Sequence, residues 1–265
     1  MVIEIISVGT EILMGNIVNT NAQYIASRLA HLGLDSYYQT VVGDNPDRIR
    51  GVLDVAFSRS DGVILTGGLG PTKDDLTKEM LMEYFGKEPV MDEKALAMLQ
   101  ERINRNGFRE LTDSLKKQAI VPKDSLILYN HHGTAPGCVM ERRDGKVCVL
   151  LPGPPKEMQP MFEQAVELYL GAKSDKVLVS LNVKVLSKQE APLSIVGESP
   201  VADRLGEPLD SQNPTVATYA KEDGCLVRVT AAGKSREEAL ALAEEMAKKC
   251  KEAIGAEYVR YVKED

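Results

Sequence analysis

Apolar runs with few polar breaks alternate with stretches of helical periodicity through the first two-thirds of the chain. Residues 2–8 are such a run, the pattern of a strand buried on both faces. A helix follows, with Asn19 or Thr20 as its cap, Ala22, Ile25, Ala26 and Leu29 on one face, and Gly33 as its stop. Residues 34–42 predict a second strand. Asp44-Asn45-Pro46 opens the next helix, with Pro46 in its first turn and Ile49, Val52, Leu53, Ala56 and Phe57 facing inward. Residues 62–65 predict a third strand. Beyond a glycine-rich turn, Met80, Leu81, Tyr84 and Phe85 repeat at helical spacing up to Gly86. Residues 87–124 are richer in charge and predict helix covering one edge. Strands at 137–141 and 146–151 flank a turn. Met158, Met161, Phe162, Ala165 and Tyr169 then form one stripe of a further helix. Strands separated by helices of this length predict an α/β fold, with a mostly parallel sheet and helices on both faces.

Residues 171–175 read as a linker, and beyond them the pattern changes. It predicts a strand at 176–186, a helix within 194–206, strands at 215–220 and 225–232, a long helix at 236–254 and a strand at 256–262. Ser235-Arg-Glu-Glu238 has the form of a capping box for the long helix. This order, β-α-β-β-α-β, is that of a small α+β domain. The division expected is therefore 1–172 and 176–265.

The candidate chemistry sits in the turns. Thr66-Gly-Gly-Leu-Gly-Pro-Thr-Lys-Asp-Asp75 joins a strand to a helix. Glycines let backbone approach a ligand closely, and free N–H groups at a helix start attract anions. Asp74 and Asp75 beside such a site make functional sense mainly with a divalent cation between them and phosphate. Asp75 has a second reading, because Thr72-x-x-Asp75 also satisfies a capping box. Asp74 can simply complement the helix dipole. Asp44 follows the second strand as Asp75 follows the third, so the two acids are candidate metal ligands on one sheet edge; Asp44 equally suits a helix cap. Gly9-Thr10-Glu11 closes the first strand, as an ordinary loop or a third ligand-facing turn. Leu151-Pro-Gly-Pro-Pro-Lys-Glu-Met158 is a second glycine turn opening a helix. In it, Gly153 suits phosphate, Lys156 suits pairing with phosphate or plain solvation, and Glu157 suits a base or a dipole partner. His131-His132-Gly133-Thr134 reads as a loop, since adjacent histidines on extended chain point apart. Triad chemistry finds no support: no serine occupies a nucleophile elbow.

Charge narrows the partners. The net charge is −7, against broad binding of nucleic acid or anionic membrane. Residues 173–265 carry 14 Lys and Arg against 16 Asp and Glu, with no G-x-x-G loop, which favours packing or dimerisation there over RNA binding. Cys138, Cys148, Cys225 and Cys250 are scattered through apolar segments and read as buried free thiols of a cytoplasmic protein. No apolar run reaches membrane-span length, and the start of the chain lacks the basic lead of a signal peptide.

Several motifs together resemble one family. Gly9-Thr-Glu11, Val18-Asn-Thr-Asn-Ala22, Thr40-Val-Val-Gly-Asp44, Thr66 to Asp75, Gly133-Thr-Ala-Pro-Gly137 and Leu151-Pro-Gly-Pro-Pro155 look like the amino-terminal region of the CinA (competence/damage-inducible) proteins. That region contains a domain similar to the MoaB/MogA molybdopterin-binding proteins and a small KH-like domain, which Asn213-Pro-Thr-Val216 and its hairpin resemble. The resemblance implies hydrolysis of ADP-ribose dependent on a divalent metal, Mg²⁺ or Co²⁺, within pyridine-nucleotide recycling. The substrate is then a small nucleotide, and a homodimer or other homo-oligomer is expected. It makes Asp75 and Asp44 catalytic metal ligands, with Glu157 or Glu11 as base. Gly9, Thr10, Gly67, Gly68, Gly70, Thr72, Asp74, Gly153 and Lys156 are expected around the bound nucleotide. The alternatives are a molybdopterin- or nucleotide-binding module without turnover, and molybdopterin adenylyltransfer. The pterin-binding relatives have Arg-Asp where this chain has Asp74-Asp75, which argues against adenylyltransfer. Longer family members carry a further domain that deamidates nicotinamide mononucleotide. The chain ends about where that domain would begin, so no deamidase activity is expected.

Overall fold

The computed structural model describes residues 1–72, 75–105, 111–174 and 176–264. Two compact units divide the chain: Met1–Ala30 with Leu34–Lys173, and His31–Gly33 with Ser174–Asp265.

In the first unit, β1 (Ile3–Val8) leads through α1 (Thr10–Leu13) and α2 (Thr20–His31) to β2 (Gln39–Val42). Then come α3 (Pro46–Arg59), β3 (Gly62–Thr66), α4 (Thr77–Tyr84), β4 (Pro89–Met91), α5 (Glu93–Arg105), α6 (Asp113–Lys116) and β5 (Ile120–Pro122). β6 (Leu126–Leu128), β7 (Gly137–Glu141), β8 (Val147–Leu151), α7 (Pro155–Met161), a π-helical turn at Phe162–Val166 and α8 (Glu167–Gly171) complete it. The main sheet has the order β2-β1-β3-β8-β7-β6. β2, β1, β3 and β8 run parallel; β7 and β6 add an antiparallel edge. β1, β3 and β8 are buried at every position, which is why they hold the centre. Glu4 is the charged exception in β1. Arg59 donates to both its oxygens at 2.9 Å and Thr40 donates at 2.8 Å, so the carboxylate is neutralised where it is buried.

The fold corrects several expectations. The strand expected at 34–42 is ordered only as β2, preceded by one isolated bridge from Asp35 to Val2. Tyr37 and Tyr38 between them are exposed; the Tyr38 ring stacks under Arg59, and the Tyr38 carbonyl accepts from the Ile5 N–H at 3.2 Å before the regular register begins. Residues 87–124 are not simply helical. β4 and β5 pair antiparallel, with Pro89 opposite Pro122 and Val90 opposite Val121. The prolines lack the N–H a helix interior needs, and three-residue strands leave no readable period. Gly9-Thr10-Glu11 is not a plain loop, because Thr10 begins α1.

The second unit contains β9 (Val177–Val185), α9 (Leu193–Val196), α10 (Glu198–Leu205), β10 (Thr215–Lys221), β11 (Gly224–Gly233), α11 (Arg236–Ile254) and β12 (Val259–Glu264). Its sheet is antiparallel, ordered β10-β11-β9-β12. α11 buries Ala239, Ala243, Ala247, Cys250 and Ile254, one stripe at helical spacing, against that sheet. Ser235 caps α11 by accepting from the Glu238 N–H at 3.2 Å. The return arm of the expected box differs: Glu238 accepts from Lys234 at 2.7 Å instead of from Ser235. The last strand begins at Val259, after a 3₁₀ turn at Ala256–Tyr258. Among the described residues no helix is long and apolar enough to cross a membrane.

Candidate active site

The carboxyl ends of β1, β2, β3 and β8 open onto a cleft of about 630 Å³ in the first unit, a volume typical of small-molecule sites. In an open α/β sheet this is where ligands bind.

Two glycine turns form its floor. Gly67 and Gly68 have φ of 111° and 68°, in the left-handed region that glycine alone enters freely. A Cβ on Gly67 would lie 2.1 Å from the Val8 carbonyl oxygen, and one on Gly68 would lie 1.9 Å from Thr77 Oγ1. The second turn packs against the first: a Cβ on Gly153 would lie 3.5 Å from Gly67 Cα. Pro154 and Pro155 follow Gly153 and carry no N–H, so this side offers fewer donors than its glycine suggested.

Four carboxylates line the cleft: Glu11, Asp44, Asp75 and Glu157. Asp44 accepts from the Thr10 N–H and hydroxyl, both at 2.9 Å. It does not cap α3, a task taken by Asn45, which accepts from Arg48 at 3.0 Å. Asp75 accepts from the Thr72 N–H at 3.0 Å and hydroxyl at 2.5 Å. This is not a capping box either, because α4 starts only at Thr77 and Thr72 lies outside it. No α4 residue lines the cleft, so the turn supplies the backbone here, not the helix start. The Glu11 carboxylate folds over Gly9, 2.7 Å from where a Cβ would stand. Glu157 Oε2 accepts from Asn130 Nδ2 at 2.8 Å and lies over Gly133.

The expected binding residues divide. Gly9, Gly67, Gly68, Gly70, Thr72 and Gly153 line the cleft. Thr10 stands behind Asp44. Lys156 is exposed on the first turn of α7 and does not line the cleft. Asp74 lies outside the described residues. The described lining contains no Lys, Arg or His.

Four residues that the motifs did not single out organise this region. Asn21 Nδ2 donates to Thr66 Oγ1 and to the Gly153 carbonyl. Asn130 Oδ1 accepts from the His132 and Gly133 N–H groups, setting the loop under Glu157. Gln118 donates to the Leu69 carbonyl at 3.0 Å. Lys78, buried, donates to the Gln118 carbonyl at 2.8 Å, and burial pushes its ammonium down to about 8. Asn21 lies within the Val18 to Ala22 motif, and Asn130 precedes a glycine in an Asx-turn pattern. Gln118 and Lys78 leave no sequence signal.

A divalent ion can be tested against these donors. Asp44 and Asp75 each give one oxygen to a threonine; the other has no partner among the described residues. Among those residues no group of three or more His, Cys, Asp or Glu could hold an ion alone. Two carboxylates fit an oxygen-seeking ion whose shell is completed by ligand phosphate and water, the habit of Mg²⁺.

Comparison with known proteins agrees with this architecture. Residues 4–172 match the family described as "Probable molybdopterin binding domain", and residues 194–259 match "Damage-inducible protein CinA KH domain". A "Putative competence-damage inducible protein" of Clostridium beijerinckii is 48% identical over 255 residues, 95% of this chain and 59% of that protein. A "CinA-like protein" of Dictyoglomus turgidum is 47% identical, with the same shares covered. The chain thus spans 59% of the length of these relatives. The crystal structure of the protein CinA with unknown function from Thermoplasma acidophilum is 38% identical and superposes with a TM-score of 0.56, over 62% of this chain and 95% of that one. The chain belongs to the CinA family, with a molybdopterin-binding-type α/β domain followed by a CinA KH domain.

Proposed function

We propose that this is a cytoplasmic, metal-dependent pyrophosphatase that hydrolyses ADP-ribose to AMP and ribose 5-phosphate. One observation carries the reading: the described lining of a glycine-floored cleft holds four carboxylates and no cationic side chain. A diphosphate among those acids needs a cation, and Asp44 and Asp75 each have an oxygen without a partner among the described residues to offer one. Gly67, Gly68, Gly70 and Thr72 lie along one side of the diphosphate and Gly153 along the other. Asp44 and Asp75 hold the ion. Bound there, a divalent ion neutralises charge on the phosphoryl oxygens and lowers the pKa of water. Glu157, held by Asn130, or Glu11, folded over Gly9, accepts the proton of the attacking water as the P–O bond to the leaving phosphate breaks.

The test is to incubate the protein with ADP-ribose and Mg²⁺, Co²⁺ or EDTA and to follow AMP by chromatography. AMP formed with metal and lost in Asp75→Asn supports the reading. No AMP with any metal, from a protein that still binds the nucleotide, overturns it in favour of a pterin- or nucleotide-binding module.

A further inference from the structure

The six-stranded sheet stops short of the site. The last rung between β3 and β8 pairs Thr66 with Leu151. Past it the two chains leave the ladder and become the two glycine turns. One backbone bond follows, Gly67 N–H to the Leu151 carbonyl at 3.0 Å. Beyond that, a side chain from a distant segment joins the turns. Asn21 Nδ2 donates at 2.9 Å to Thr66 Oγ1 and at 2.7 Å to the Gly153 carbonyl. The Thr66 hydroxyl in turn donates to the Pro152 carbonyl at 2.7 Å.

We propose that Asn21 is a positioning residue that sets the spacing of the two glycine turns, and through them the fit of the cleft to a diphosphate. The inference deepens the pyrophosphatase reading and rests on it for the last step. The orientation of the amide follows from chemistry: the Gly153 carbonyl can only accept, so the NH₂ group must face it. Asn21 Oδ1 is consequently turned away, buried and without a partner among the described residues. An unpartnered buried amide oxygen costs stability. If this position served packing alone, an apolar side chain of the same size would serve better. Asparagine is the side chain that brings two N–H donors to two acceptors from one short stem. Its own backbone is fixed independently, because Asn19 Oδ1 accepts from Ala22 at 3.2 Å and caps the helix on which Asn21 sits.

Two substitutions separate the roles. Asn21→Leu keeps the branched shape and the number of heavy atoms and removes the unpartnered oxygen; Asn21→Asp keeps an acceptor and removes the donors. A packing role is met by leucine, an acceptor role by aspartate, and a donor role by neither. Amide hydrogen exchange without nucleotide is the first measurement, read on the first turn at Gly67, whose N–H is bonded to the Leu151 carbonyl, and on the second at Glu157, whose N–H is bonded to the Pro154 carbonyl. Exchange at both turns is expected to quicken by about tenfold or more in both variants, and by more than any change in global stability accounts for. kcat/KM for ADP-ribose is expected to fall on the order of tenfold to a hundredfold. Unchanged exchange at either turn, or full activity in either variant, overturns the proposal. If the Asn21 variants do not fold, Thr66→Val cuts the same network from the strand side. It must quicken exchange at both turns, and an effect on the first turn alone overturns the clamp. A wild-type protein that leaves ADP-ribose intact would sink the pyrophosphatase reading while the exchange result still decides the clamp.

Discussion

Asp75 reaches back three residues and takes two hydrogen bonds from Thr72 on a single oxygen, from the N–H at 3.0 Å and the hydroxyl at 2.5 Å. The arrangement closes the end of the glycine turn and lays the carboxylate over Gly70, where a Cβ would meet Oδ2 at 2.3 Å. The second oxygen has no partner among the described residues, and on the proposed reading it is the one offered to the ion. Asp75→Asn is therefore expected to lower metal-dependent turnover by about 100-fold or more. Thr72→Val keeps the N–H bond and loses the hydroxyl, so its effect should be milder, on the order of tenfold, with Thr72→Ser restoring the wild-type rate. Steady-state assays of AMP release decide it; equal losses in Asp75→Asn and Thr72→Val would count against the metal role of Asp75.

Gly67 and Gly153 touch across the cleft floor yet should respond differently to alanine. At Gly67 the methyl would meet a main-chain oxygen at 2.1 Å, and the φ of 111° disfavours any side chain. Gly67→Ala is expected to destabilise the protein by about 2–4 kcal/mol. At Gly153 the nearest atom is at 3.5 Å, an ordinary contact. Gly153→Ala should therefore unfold in urea at the wild-type midpoint while weakening nucleotide affinity. The reverse order of stabilities would show that the turns are not packed as described.

How much of this was legible depended on whether the signal was local. α11 was readable to the residue because its cap at Ser235 and its apolar stripe lie within the helix itself. Gly67, Gly68, Asp44 and Asp75 stood out because strand ends, glycines and acids are adjacent in sequence. The Thr72-x-x-Asp75 pattern misleads for the same reason: the spacing fits a capping box, but the helix begins only at Thr77. β4 and β5 escaped because each is three residues long and its partner is some thirty positions away. Asn21 meets Gly153 across 132 positions. A single polar residue on a helix face carries no mark of such a contact until the sheet brings both segments together.

The four thiols should be chemically silent in the native protein. Cys138, Cys148, Cys225 and Cys250 are all buried. Burial pushes Cys138 up to about 12 and Cys250 up to about 11, and raises Cys148 and Cys225 as well. Thiolate is the reactive form. A disulfide reagent at mildly alkaline pH is expected to titrate none of them in native protein and all four in denaturant. Rapid reaction of any one in native protein would place that thiol at the surface.

Lys78 gives the protein a predictable dependence on alkaline pH. Its ammonium is buried, and burial lowers its pKa from 10.5 to about 8, while Glu79 nearby opposes the shift. Below pH 8 the folded and unfolded chains both hold the proton, and the cost of burying the charge is present in full. Between pH 8 and 10.5 the folded chain has released a proton that the unfolded chain still binds. Stability contributed by this site therefore rises with pH across that window, by about 1–3 kcal/mol in all. Other lysines and tyrosines titrate there too, so the comparison must be with Lys78→Met, which removes this group alone. Urea unfolding of both proteins at about pH 7.5, 9 and 10 measures the difference. Wild type should gain on the variant as pH rises. A difference that stays flat would mean that Lys78 keeps its proton through the window, held by the Gln118 carbonyl at 2.8 Å more firmly than burial opposes it.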